Sequence, residues 1–302
     1  MKYPKSKITL PFSLLCILLF LFTALKAGAQ LFSQDSLKLI SRQFSFTEGP
    51  SVNPAGYIFF TDQPNNQIWK YDLNGKLSLF MDNAGRANGT YINRNGQLLI
   101  CADENNELWS VDKNKKIKIL LCTIDGKKPN GPNDLWADKF GGIYFTDPYY
   151  QRNYWSRQKP EIEGQKVYYL PPGRHHKARV AAEEVSKPNG IVSSSDGRYL
   201  YVSDIGGAKI YCYSIGKKGM LYGQKLFVNH RADGITLDEQ GNLYLAADGV
   251  TIFNSKGIKI GQIVIKESWT SNVCFGGKNH NELFITASTA IYTIPIRVSG
   301  IE

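Results

Sequence analysis

One pattern recurs six times along the chain. The copies are EGPSVNPAGYIFFTD (48–62), NGTYINRNGQLLICAD (88–103), NDLWADKFGGIYFTD (133–147), NGIVSSSDGRYLYVSD (189–204), DGITLDEQGNLYLAAD (233–248) and NVCFGGKNHNELFITA (272–287). Each opens on a polar residue: Glu48, Asn88, Asn133, Asn189, Asp233 and Asn272. A turn falls eight positions on, at Gly56, Gly96, Gly141, Gly197 and Gly241, with His280-Asn281 in the sixth copy. A β-branched and aromatic strand follows, closing in five copies on Asp62, Asp103, Asp147, Asp204 or Asp248. Third strands such as QIWKYDL, ELWSVD and KIYCYSI continue most copies. The openings lie 40, 45, 56, 44 and 39 residues apart. A period of about 40–45 residues with some four strands per unit marks a β-propeller blade. The repeat therefore predicts an all-β, six-bladed β-propeller over residues 30–302. The segment before Glu48 is expected to supply the closing strand of the last blade.

The start of the chain stands apart from this pattern. Lys2, Lys5 and Lys7 precede an apolar run, PFSLLCILLFLFTAL (11–25), and Ala27-Gly28-Ala29 offers a small-residue cleavage site. That is the layout of a cleavable signal peptide over 1–29. It implies export to the periplasm or medium, with no stable membrane anchor after cleavage. The formal charge of +10 falls to +6 once Lys2, Lys5, Lys7 and Lys26 leave with the leader. The remaining excess is scattered, so no nucleic-acid partner is expected. Cys101, Cys122, Cys212 and Cys274 are far apart and form no CxxC, which argues against a zinc or thioredoxin-type site. Export permits disulfides, though the sequence does not pair these cysteines; those inside apolar strands (ICAD, IYCY, VCFG) read as small buried hydrophobes.

The innermost strands of a propeller line a central channel, so one repeat position recurs at one height around the axis. The six openings then form a ring of side-chain oxygens. Asn and Asp also recur where they make local turns. Glu48 is a poor turn residue, however, and each copy already has its hairpin turn further on. Three or four of the six are expected to touch a ligand. Carboxylate and amide oxygens without His or Cys suit a hard divalent cation, Ca²⁺ before Mg²⁺, with Zn²⁺ or Mn²⁺ also accommodated. Such an ion polarises a carbonyl or binds water, and a carboxylate beside it can act as general base. The pairing fits ester or lactone hydrolysis. GxSxG, HExxH and nucleophilic-cysteine motifs are absent. His175-His176 reads as a solvated pair. The longest interval carries DPYYQRNYWSRQKPEIEGQ (147–165). This stretch is either a surface loop with packed aromatics or a wall over the pocket.

The segments FTEGP, GPNDLWAD, KPNGIVSS, RADGITLDEQGNLYLAAD and TSNVCFGGKNHNELFITA, in this order, resemble the senescence-marker-protein/gluconolactonase/regucalcin-like family, in its exported bacterial branch. The likeness covers nearly all of 44–297. It implies one axial divalent cation held by Glu48, Asn189 and Asp233. It implies that Asn133 contacts substrate or cation-bound water, and that Asp233 doubles as the base. The RANG motif adds Asn88 to the substrate side. The implied activity is hydrolysis of sugar-type lactones. Two positions depart from the pattern. Ala232 replaces a common Pro, and Gly131 stands where animal members carry a substrate-gripping Arg. Arg152, Tyr149 or Tyr150 from the long loop is expected to compensate. Two other readings stay open: an aryl esterase or phosphotriesterase on the same site, and a non-catalytic propeller whose ion is structural.

Overall fold

The computed structural model describes residues 30–173 and 177–301. The leader over 1–29 and the His175-His176 pair lie outside the described residues. Phe32–Glu302 forms one compact unit. Among the described residues, 24 strands make six four-stranded antiparallel sheets, a six-bladed propeller. This is the architecture the repeat predicts.

The innermost strands are Thr47–Val52, Ala87–Ile92, Leu135–Ala137, Pro188–Ser193, Ile235–Leu237 and Asn272–Gly276. Each packs on the next, and the sixth returns to the first, so the ring closes. Closure is made by the segment before Glu48. Lys38–Ser41 pairs with Ala290–Pro295 as the outer strand of the sixth sheet. The last blade is thus stapled by both ends of the propeller. Apolar positions of each repeat fill the spaces between blades; Phe60 and Phe284, for example, are fully buried with ring centroids 5.3 Å apart.

The hairpin joining the first two strands of a blade is self-contained. Asn53, Asn93, Asp138 and Asp238 each accept two backbone N–H bonds through their own Oδ1, turning the chain without help from elsewhere. The turn position eight residues after each opening is left-handed throughout, by glycine in five blades and by His280 (φ +50°) in the sixth. The residue at each blade opening is therefore free of any turn-forming duty. No disulfide joins Cys101, Cys122, Cys212 and Cys274 among the described residues; Cys101 and Cys274 are buried, Cys212 is partly buried and Cys122 is exposed. No helix among the described residues is long and apolar enough to cross a membrane.

Candidate active site at the mouth of the channel

Backbone pairing fixes which residues share a level. Asn133 N donates to Thr146 O at 2.9 Å and Asp233 N to Ala246 O at 2.7 Å; in the sixth blade it is Ser271 N that donates to Thr286 O, at 3.0 Å. Ser271, not Asn272, is therefore the sixth member of the ring, and the sequence register for that blade is one residue off. The residues one step further along form a second layer: Gly49, Gly89, Asp134, Gly190, Gly234 and Asn272. Here Gly89, Gly190 and Gly234 donate their N–H to the carbonyls of Asn133, Asp233 and Ser271 in the next blade, at 2.7, 2.9 and 2.8 Å. A Cβ on Gly190 would lie 2.5 Å from Asp233 O, so glycine is needed for the blades to approach this closely. Asp134 and Asn272 put side chains into room that Gly89 and Gly234 leave open. The Asn272 amide acts on both the Asp134 and the Glu48 carboxylates, opposing the rise in their proton affinity. Together they plug the channel beneath the ring.

Above the plug, Glu48, Asn88, Asn133, Asn189 and Asp233 line a single cleft of about 670 Å³. Below it, Asp134 and Asn272 face a separate cavity of about 320 Å³, which shares no lining residue with the upper one. All five ring residues of the cleft are buried. Burial and the neighbouring Asp233 carboxylate push Glu48 well above the usual carboxylate range. Burial lifts Asp233 to about 6, against the opposing effect of four groups: the Trp269 indole N–H, 2.6 Å from Oδ2, the Asn189 amide, and the charges of Arg231 and Arg152. Asn189 Nδ2 also donates to Tyr150 Oη at 3.2 Å. Asn88 Oδ1 is buried with no hydrogen-bond partner. Burial lifts Asp134 to about 7.

These residues fit a hard cation. Two buried carboxylates share a cleft, no Lys or Arg is ion-paired to either among the described residues, and an amide oxygen beside them lacks a donor. Such groups are costly to bury unless something positive meets them. No group of three or more His, Cys, Asp or Glu side chains among the described residues is placed to hold a metal ion. The donor set here is two carboxylates with amides.

Residues 46–289 match the SMP-30/Gluconolactonase/LRE-like region. The chain belongs to the SMP-30/gluconolactonase/LRE-like family. A gluconolactonase of Zymomonas mobilis is 28% identical over 296 residues, covering 87% of this chain and 82% of that protein. The structure of a gluconolactonase from Xanthomonas campestris aligns with a TM-score of 0.82 at 26% identity, over 90% of this chain and 93% of that one. A calcium-binding regucalcin from Agrobacterium tumefaciens shares the fold, with a TM-score of 0.74, 16% identity, and 89% and 95% of the two chains covered.

The cleft also takes residues from the loops that lead into the blades. Trp269, Arg231 and Lys187 line the cleft, and none belongs to a repeat position the sequence pattern marks. The strand-closing aspartates show how the long loop is held. Asp62, Asp147 and Asp204 each accept backbone N–H bonds from the lead-in to their own blade: Ser45 and Phe46, Asn130 and Gly131, Ser186 and Lys187. Asp103 does something else. Its Oδ2 accepts from Arg152 Nε at 3.0 Å and from Tyr154 Oη, and its backbone oxygen accepts from Trp155 Nε1 at 2.8 Å. The buried carboxylate of the second blade thus clamps the loop of the third, and Arg152 lines the cleft from that anchor. Tyr149 does not line it. Its ring packs on Trp155 and beneath Arg157, and its hydroxyl donates to Gln151. Tyr150, the next residue, is the one in the cleft.

Proposed function

We propose that this protein is an exported lactone hydrolase that works with a bound divalent cation, Ca²⁺ in first place. The observation that carries the reading is the pair of buried carboxylates, Glu48 and Asp233, sharing one cleft with the unpartnered Asn88 Oδ1. Family membership and the gluconolactonases among its relatives support the reaction class. The leader pattern over 1–29 supports export.

Glu48, Asn189 and Asp233 would hold the cation, with Asn133 and Asn88 beside them. Bound there, it would supply a Lewis acid for the lactone carbonyl. Asp233 is suited to take the proton of the attacking water. The Trp269 N–H fixes its Oδ2. Attack of water forms a C–O bond at the acyl carbon. The ring C–O bond then breaks, and the proton held on Asp233 passes to the departing ring oxygen, giving a hydroxy acid. Arg152, fixed by Asp103 and stacked 5.6 Å over Tyr150, orients the substrate at the wall of the cleft. The test is bound-metal analysis with a panel of aldonolactones, aryl esters and phosphotriesters. Lactone turnover lost on chelation and regained with Ca²⁺ is the expected result. Preferential turnover of aryl esters or phosphotriesters would contradict it.

A further inference from the structure

The cleft is electrically lopsided. On one arc stand Arg152, Lys187 and Arg231, contributed by the long loop and by the lead-ins to the fourth and fifth blades. Phe46, Gln63 and Asn88, which also line the cleft, carry no charge. Arg152 is matched by Asp103. Lys187 and Arg231 have no ion-pair partner among the described residues. They are not loose at the rim, because each is laid on an aromatic face of the cleft. Lys187 Nζ lies 4.3 Å from the centroid of Tyr150 and the Arg231 guanidinium 4.7 Å from that of Trp269, both within cation–π reach. Those two rings also contact the ring residues directly, through Asn189 and Asp233.

A charge count then points to the ligand. With the proposed divalent cation balancing Glu48 and Asp233, and Asp103 balancing Arg152, two positive charges remain over the cleft. Opening a neutral lactone yields one carboxylate, which answers one of them. From this we infer that the substrate is a lactone already bearing an anionic substituent (a carboxylate, sulfonate or phosphate) on the part of the ring remote from the reacting carbonyl, received by Lys187 and Arg231. The inference rests on the lactonase reading. It requires no further co-reactant, since the substituent is bound and not transformed.

The experiment compares glucono-1,5-lactone with the same ring carrying a 6-carboxylate, a 6-phosphate or a 6-sulfonate. The Ca²⁺-loaded protein is expected to favour at least one anionic lactone in kcat/KM by about tenfold or more, the size of a charge-assisted contact. That preference should shrink as salt is raised. Lys187→Gln with Arg231→Gln should lower kcat/KM for the anionic lactone about tenfold more than for the neutral one. The arms with different substituents separate carboxylate from phosphate and sulfonate. A neutral lactone used as well as every anionic one, or a ratio unmoved by the double variant, would overturn the inference. Calorimetric titration with gluconate and glucarate decides the matter independently of turnover. Tighter binding of the dianion, lost in the double variant, supports the inference even if no lactone is opened; equal binding of the two overturns it. Failure of every lactone to react would instead strike the lactonase reading.

Discussion

Asn189 and Gly190 are neighbours on one strand, yet they belong to different layers of the channel. Asn189 and its equivalents face an open cleft and hold polar atoms that the protein itself does not fully satisfy. Gly190 and its equivalents are in backbone contact with the next blade, and the channel at their level is filled by Asp134 and Asn272. A step of one residue along the chain thus passes from a layer suited to binding to a layer that holds six blades together. The difference implies that substitutions in the first layer should cost activity and spare the fold, and that those in the second should do the reverse.

The largest effect should come from Asp233→Asn. It removes the base while keeping the side-chain shape, so kcat for lactone hydrolysis should fall by about 10²–10⁴-fold. The metal-free variant should melt no lower than the wild type, because a buried carboxylate that is hard to ionise has been neutralised. Gly190→Ala should behave in the opposite way. Its Cβ would meet a backbone oxygen that cannot swing aside, and the loss of stability should be about 1–3 kcal/mol in a denaturant titration. Asp103→Asn probes the wall between these extremes. It weakens the clamp on Arg152 and Tyr154, and should cost about tenfold in kcat/KM, mostly through KM.

Titration sharpens the same contrast. Burial raises the proton affinity of Asp233 to about 6 and of Asp134 to about 7, from an ordinary 3.8. Between about pH 4 and pH 7 the folded protein therefore binds more protons than the unfolded chain, so these groups make stability fall as pH rises through that window. A cation on Glu48 and Asp233 relieves part of this. The gain in Tm on adding Ca²⁺ to stripped protein should consequently grow from pH 5 to pH 8, and it should be small in the Glu48→Gln, Asp233→Asn double variant. The smallest effect is expected at Tyr149. Tyr149→Phe should change kcat/KM by less than about twofold, because the hydroxyl meets Gln151 and not the cleft. Tyr150→Phe removes the hydroxyl that accepts from Asn189 and should cost more.

The propeller was legible in the sequence because every blade repeats the same turn and strand chemistry at a nearly constant interval. The position of the ring was legible for the same reason: Glu48, Asn88, Asn133, Asn189 and Asp233 occupy equivalent ladder positions and meet in one cleft. The residues that escaped notice are those outside the repeat. Trp269, Arg231 and Lys187 sit in lead-in loops whose sequences differ from blade to blade, so no period marks them. Asp134 follows Asn133 directly, yet it lies one layer below, at the level of Asn272 and facing the lower cavity. The sixth blade slipped by one because SNVCFG offers two polar residues at the opening, and only the hydrogen bond from Ser271 to Thr286 decides between them. Tyr149 and Tyr150 are adjacent and chemically identical. Which of them faces the cleft depends on the clamp that Asp103 applies to the loop several residues later.

The account turns on whether the upper layer binds a cation and uses it. The direct measurement is lactone hydrolysis by chelator-stripped protein, followed by Ca²⁺ titration, in the wild type and in Glu48→Gln and Asp233→Asn. The account predicts no turnover without metal, recovery that saturates with one Ca²⁺ per chain in the wild type, and no comparable recovery in either variant. Undiminished turnover by the stripped protein, or wild-type rates in Asp233→Asn, would contradict it.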